Sequence, residues 1–166
     1  HSSSNLRKLS LLKNKFSNLK LIKMNFAKFD QQNYKKLINQ KFKNEKFDSI
    51  VNLVGYIDNK TFHNSSFQDI TNSLKINTIV PILIVQDFVN YMIKNKWGRI
   101  LNCSSIGVKF GGGYKTYNYA LSKHLLEFIP NIHKQWAKNN VFINNLRIAV
   151  CNTKIHKKIN KKNLKK

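Results

Sequence analysis

Tyr119 and Lys123 stand four residues apart in the stretch YNYALSK, residues 117–123. On a helix that spacing puts both side chains on one face. A phenol titrates near pH ~10 and is a poor acid or base at neutral pH. A neighbouring ammonium favours the phenolate and lowers that pKa, so such a pair can give a proton to a forming alkoxide or take it back. Lysine and asparagine together supply 51 residues of this chain, so chance also produces the spacing, and one turn of an ordinary helix is the plainer reading. Ser105 could donate its hydroxyl to a substrate carbonyl and stabilise developing negative charge; alternatively it caps backbone amides as a loop serine. Asn77 falls inside a long helical pattern, where asparagine is a mediocre choice without another purpose. The abundance of asparagine, 24 residues, is the rival explanation.

These residues need elements to hold them. Residues 5–16 read as a short amphipathic helix with Leu6, Leu9, Leu12 and Phe16 on one side. LKLIKM, residues 19–24, alternates and reads as a strand; residues 31–42 read as a helix. FDSIVNLVG, residues 47–55, is a compact apolar run ending in glycine and fits a buried parallel strand. Ser66 followed by Asp69 forms a near capping box, after which an apolar stripe continues to about Ile93, with a kink expected at Pro81. WGRILNCSS, residues 97–105, reads as a second buried strand ending in hydroxyls, followed by a glycine-rich loop to Gly113. A helix is expected from about Thr116 to Lys138, bent at Pro130, then a strand within 141–150 and a basic tail. Strands alternating with helices predict an α/β parallel sheet, whose ligands bind off the carboxyl ends of the strands. Gly55, Ser104–Ser105 and Thr153 all fall at such ends.

The chain of 166 residues suffices for one core, and no run of 18 apolar residues suggests a membrane span. The net charge of +23 could mean nucleic acid or an anionic surface. Only three of the basic residues are arginine, however, and the lysines are spread along the whole chain. Base readout favours arginine, so a nucleic-acid partner is not the favoured reading; codon bias in an A/T-rich genome explains the excess of lysine and asparagine. Cys103 and Cys151 are too few and too far apart for a zinc site and read as small buried hydrophobes in a reducing compartment. His63, His133 and His156 show no ligand spacing, so no metal is expected.

Taken together these residues resemble the short-chain dehydrogenase/reductase family, most of all its 3-oxoacyl-carrier-protein reductases, along residues 19–155. VNLVG matches a family strand of double asparagine, alanine and glycine, with Asn52 and Gly55 kept and Leu53 and Val54 substituted. LKINTIVP places the family's helix asparagine, which helps hold a proton-relay water, on Asn77. WGRILNCSSIG places its serine on Ser105, and YNYALSK its tyrosine and lysine on Tyr119 and Lys123. Asn77 precedes Ser105 by 28 residues, the family register; Ser105 precedes Tyr119 by 14, about one more than usual. Asn25 matches a position contacting the adenine ring and Thr153 one touching the cofactor. The resemblance implies a hydride exchanged between NAD or NADP and a carbonyl carbon. Tyr119 would move the oxygen's proton, Lys123 would lower the tyrosine pKa and bind the nicotinamide ribose, and Ser105 would orient the oxygen. Asn52, Gly55, Tyr119 and Lys123 would also line the cofactor.

The resemblance is incomplete at both ends. The strand and glycine turn that cradle the pyrophosphate are absent, the family's proline–glycine pair falls on Ile148 and Ala149, and the last helix and strand are missing. The expected fold is a partial Rossmann-like doubly wound parallel sheet lacking its first two strands, over residues 1–155, with a basic tail over 156–166. Residues 19–24 would be a strand without neighbours and 49–54 a strand with an open edge, so the chain as given is expected to be fragile or completed by a partner. The leading reading is a cytoplasmic carbonyl reductase acting on a small-molecule carbonyl or alcohol. The alternative is a non-catalytic remnant that serves as an interaction module. By resemblance, the helices at 66–93 and 116–138 pair between subunits of a homo-oligomer, and no membrane partner is expected.

Overall fold

The computed structural model describes residues 6–42 and 45–151, which divide into two compact units between Glu45 and Lys46. The first unit contains helix α1, Leu6–Lys15, and helix α2, Gln31–Phe42, joined through a 3-10 turn at Phe26–Lys28. Helix α2 has the expected bounds, and Tyr34 and Ile38 are its buried residues. The strand expected over 19–24 does not form; only Lys23 has a single bridge. Alternation makes a segment compatible with a sheet, but a strand also needs a ladder partner for its backbone groups, and this segment has no place in the chain's three-stranded sheet.

The second unit is built on that sheet. Strands β1, Ser49–Asn52, β2, Gly98–Ser105, and β3, Val141–Ile148, are parallel in the order β1-β2-β3. β2 is central, and it is buried on both faces: Ile100 and Cys103 are buried apolar residues and Asn102 and Ser104 buried polar ones. β1 is shorter than the apolar run that encodes it and is an edge strand, as expected. Val51 is 62% and Leu53 70% exposed on and just beyond it. β3 forms the other edge.

Three helical stretches support the sheet. Helix α3, Phe67–Leu74, begins on a complete capping box: the Asp69 N–H donates to Ser66 Oγ at 3.2 Å and the Ser66 N–H to the Asp69 carboxylate at 3.0 Å. It continues through a π-helical turn, Lys75–Ile79, into helix α4, Val80–Lys94. The irregularity expected at Pro81 is therefore this turn, placed just ahead of the residue with no N–H to give. Phe67–Lys94 is long and apolar enough to cross a membrane by length and composition, yet half of its most apolar window is buried within the fold. Val80, Ile84, Val85, Val89 and Met92 form the buried stripe of a core helix.

The long helix expected from 116 to 138 is two helices, α5, Tyr117–Leu126, and α6, His133–Lys138. Pro130 breaks rather than bends it. The residue before a proline resists helical backbone, and the Pro130 carbonyl is taken by the His133 N–H at 3.0 Å, which starts α6 afresh. Cys103 is buried as expected, but Cys151 is exposed just past the end of β3. The basic tail, including Ile155 and Ile159, lies outside the described residues.

Ser66→Ala removes the hydroxyl half of the capping box. It should lower unfolding stability by about 1 kcal/mol, read as a lower urea midpoint with an unchanged slope.

Candidate active site

Helix α5 carries Tyr119 and Lys123 past the carboxyl end of β2. Lys123 is 2% exposed. Its ammonium donates to the Val54 carbonyl and to the Cys103 carbonyl, both at 2.7 Å. One group thus ties the segment after β1, the end of β2 and helix α5 together. Burial pushes its pKa down from 10.5 to about 8, and the nearby Cys103 thiol acts weakly the other way. Lys123 has three N–H donors, and two are held by backbone carbonyls.

Tyr119 is half-buried, and the Lys123 nitrogen lies 5.9 Å from its ring centroid. Burial raises the phenol above its ordinary 10.0, and the nearby Ser105 hydroxyl pulls it part of the way back. The lysine was expected to lower this pKa. In this structure its ammonium points at strand-end carbonyls rather than at the phenol oxygen, so desolvation dominates. Ser105 ends β2 in extended backbone, and its Oγ also accepts the Gly107 N–H at 3.1 Å. The capping reading of this serine is thus seen directly, in the bond from Gly107.

The 14-residue interval from Ser105 to Tyr119 closes through a tight loop. A 3-10 turn, Ile106–Phe110, is followed by Gly111 and Gly112 at positive φ, 70° and 87°. A Cβ at Gly112 would lie 2.8 Å from the Thr116 carbonyl oxygen and 2.9 Å from Ala120 Cβ. Only glycine lets the loop lie this close against the start of α5.

Asn77 is fully buried within the π-helical turn. Its amide donates to the Tyr56 carbonyl at 2.9 Å and accepts the Tyr56 N–H at 2.8 Å, and it also donates to Ser122 Oγ at 2.9 Å. Ser122 in turn donates to the Tyr119 carbonyl at 2.8 Å, and Thr78 donates to the Ser122 carbonyl. The Asn77 side chain therefore locks the loop after β1 and the helix of Tyr119, and does not itself point to the phenol oxygen.

The residues expected at the cofactor are less uniform. Gly55 is exposed just beyond β1. Asn52 is buried, and its amide donates to Asn102 Oδ1 at 2.9 Å. Asn25, in the first unit, is exposed and its side chain accepts the Ala27 N–H at 3.0 Å, capping a 3-10 turn. Thr153 lies outside the described residues. Asn102, Asn145 and Ser122 were not singled out from sequence. The signal available for Asn102 was an amide inside an apolar central strand, which has to find a partner. Among the described residues no group of three or more His, Cys, Asp or Glu is placed to hold a metal.

A parallel α/β sheet with a serine at a strand end, and a tyrosine and a buried lysine on the following helix, defines a Rossmann-like α/β architecture. The comparisons agree with that class. The family model for short chain dehydrogenase matches residues 3–164. A 3-oxoacyl-[acyl-carrier-protein] reductase from Aquifex aeolicus is 34% identical over 119 residues, which cover 65% of this chain and 48% of that enzyme. An acetoacetyl-CoA reductase from Acinetobacter is 29% identical over 99 residues, 58% of this chain and 39% of that enzyme. The crystal structure of a 3-oxoacyl (acyl-carrier-protein) reductase from Agrobacterium tumefaciens with NADP bound matches the fold with a TM-score of 0.78 at 18% identity, over 95% of this chain and 61% of the other. The chain belongs to the short-chain dehydrogenase family. It spans about half the length, or less, of the curated relatives it matches.

The depressed Lys123 pKa makes stability depend on pH. Between about 8 and 10.5 the unfolded lysine holds a proton that the folded one has lost, so this group makes stability rise with pH across that window. Cys103, pushed above its usual 9.0 by burial, contributes the opposite slope. The lysine contribution is therefore read as the difference between wild type and Lys123→Met. Denaturant titrations from pH 7 to pH 10 should show that difference changing in favour of the wild type.

Proposed function

We propose that this chain carries the proton-handling half of a nicotinamide-dependent carbonyl reductase. The observation that carries this reading is the buried Lys123 ammonium held on the Cys103 carbonyl near the carboxyl end of the central strand, with the Tyr119 ring beside it on α5 and Ser105 at the strand's last position. The Ser105 hydroxyl is placed to meet a carbonyl oxygen that also reaches the phenol. A phenol held above its ordinary pKa keeps its proton at neutral pH, and a forming alkoxide, the stronger base, can still take it. Lys123, protonated below about 8, places a fixed positive charge behind it. The unengaged third N–H of Lys123 suits a ribose hydroxyl, and exposed Gly55 leaves the end of β1 open to a flat ring. When bound, NAD or NADP supplies the hydride.

In the same reading the substrate is a small carbonyl compound, with 3-oxoacyl thioesters the first to try, because the similar enzymes are named for them. The oligomer belongs to it as well. Ile79 and Ile82 on the α3–α4 run, and Leu125 and Phe128 on and just after α5, are exposed apolar residues on the two elements expected to pair between subunits. Buried, unpaired Cys103 fits a reducing cytoplasm.

The test is carbonyl reduction of a 3-oxoacyl thioester by the full chain, assayed with NADPH and NADH separately. Tyr119→Phe should lower kcat by at least about 100-fold with the circular dichroism spectrum unchanged. A wild-type chain that assembles, binds neither nucleotide and shows no turnover would support the non-catalytic module instead.

A further inference from the structure

Three buried or half-buried amides lie in a row across the sheet, and the proton-handling groups do not use them. Asn52, Asn102 and Asn145 are register partners on β1, β2 and β3. The Asn52 amide donates to Asn102 Oδ1 at 2.9 Å, and the Asn102 amide donates to Asn145 Oδ1 at 3.1 Å. The row does not end in the sheet. Asn102 also donates to the Leu126 carbonyl at 3.5 Å, and Asn145 donates to the Glu127 carbonyl at 3.0 Å. Leu126 is the last residue of α5 and Glu127 its C-cap. These are carbonyls that a helix end leaves without internal donors. β3 holds the same corner a second time, because Arg147 grips the Glu127 carboxylate through Nε at 2.9 Å and Nη2 at 2.7 Å.

We propose that the Asn52–Asn102–Asn145 ladder is the positioning device of helix α5, setting its height over the strand ends so that Lys123 and Tyr119 reach their partners. The ladder residues stand next to the groups that Lys123 binds: Cys103 directly follows Asn102, and Val54 lies two residues beyond Asn52. One set of amides therefore fixes β1 against β2, where the two carbonyls are, and fixes α5, where the ammonium is. A helix rises about 1.5 Å per residue, so a slide of α5 by one residue would break contacts made at 2.7 Å. Amides that only filled the sheet face would have no reason to reach, one each, two successive carbonyls at the end of one helix. The contacts of Asn77 and Thr78 with Ser122 hold the middle of α5 from its other side, and the ladder holds its carboxyl end to the sheet.

The inference deepens the reading of Tyr119 and Lys123 as a proton-handling pair and rests on it only in the turnover arm of its test. In the full chain, Asn145→Ala removes the acceptor of Asn102 and the donor to Glu127. Val141→Ala, on the same strand and buried but outside the ladder, is the control for general loss of stability. The readout is the rate at which acetic anhydride acylates Lys123 at pH 8, followed by peptide mass spectrometry against exposed lysines. In Asn145→Ala that rate should rise at least about fivefold, as loosened local structure requires, and in Val141→Ala it should stay near wild type. Equal rates in the two variants would overturn the proposal. Should Asn145→Ala fail to fold, the wild-type side-chain amide protons of Asn102 and Asn145 decide it by NMR. Slow exchange supports the ladder, and exchange as fast as that of exposed asparagines overturns it. In the turnover arm Asn145→Ala should lower kcat with little change in KM. A Lys123 response as expected in a chain that reduces no carbonyl would leave the ladder standing and overturn the functional reading alone.

Discussion

A buried ammonium is the constraint around which the second unit is arranged. Removing a lysine charge from water costs several kcal/mol unless hydrogen bonds replace the lost solvation. Lys123 recovers part of that from two main-chain carbonyls on neighbouring parts of the sheet, those of Val54 and Cys103. Neither carbonyl can serve unless β1 and β2 are in register and their ends stop at the right height. Helix α5 must also be close enough for a lysine stem to reach both. The parallel pairing of Asn52 with Asn102, the glycine approach at Gly112 and the polar seam of Asn77, Thr78 and Ser122 all meet that requirement. Each of these features has a local explanation, and together they leave α5 with a single workable position.

The seam between the α3–α4 run and α5 is polar where a helix interface would ordinarily be apolar. Ser73, Asn77 and Ser122 are fully buried there, with Thr78 nearly so. Small polar residues let the helices approach closely, and the π-helical turn turns the Asn77 amide toward Tyr56 and Ser122 at once. A regular helix through Lys75–Ile79 would rotate the following residues by part of a turn and misplace either Asn77 or the apolar stripe of α4. The irregular turn, two residues ahead of Pro81, reconciles a polar demand at one end of the run with an apolar one at the other.

Much of this could be read from the residues. The Tyr119–Lys123 face, the serine at the end of a buried strand and the helix start at Ser66 each rest on short-range rules of period and capping, and all three appear in the structure. What could not be read depends on partners distant in sequence. LKLIKM alternates like a strand, but alternation says nothing about whether another strand lies alongside. Pro130 could be seen to disturb a helix, but not that the chain would leave helix at Leu126 and restart at His133. The amide ladder joins residues 50 and 43 positions apart and has no local signature beyond a polar residue in each strand. Asn25 and Asn52 matched cofactor positions by type and spacing, yet their side chains are engaged in a turn and in the sheet.

The two perturbed groups of the site are both moved by burial, and in opposite senses. Desolvation disfavours whichever form is charged, so it lifts the Tyr119 phenol above 10.0 and lowers the Lys123 ammonium to about 8. Free in water the phenol would lose its proton slightly before the lysine; in this fold the lysine loses its proton first. Below about 8 the pair therefore rests with both protons in place, a neutral phenol beside a cation. That is the resting state from which a proton can be given to an oxygen as negative charge develops on it. In the proposed reaction a phenolate formed on Tyr119 would be stabilised by the cation behind it, which its two carbonyl partners hold in place.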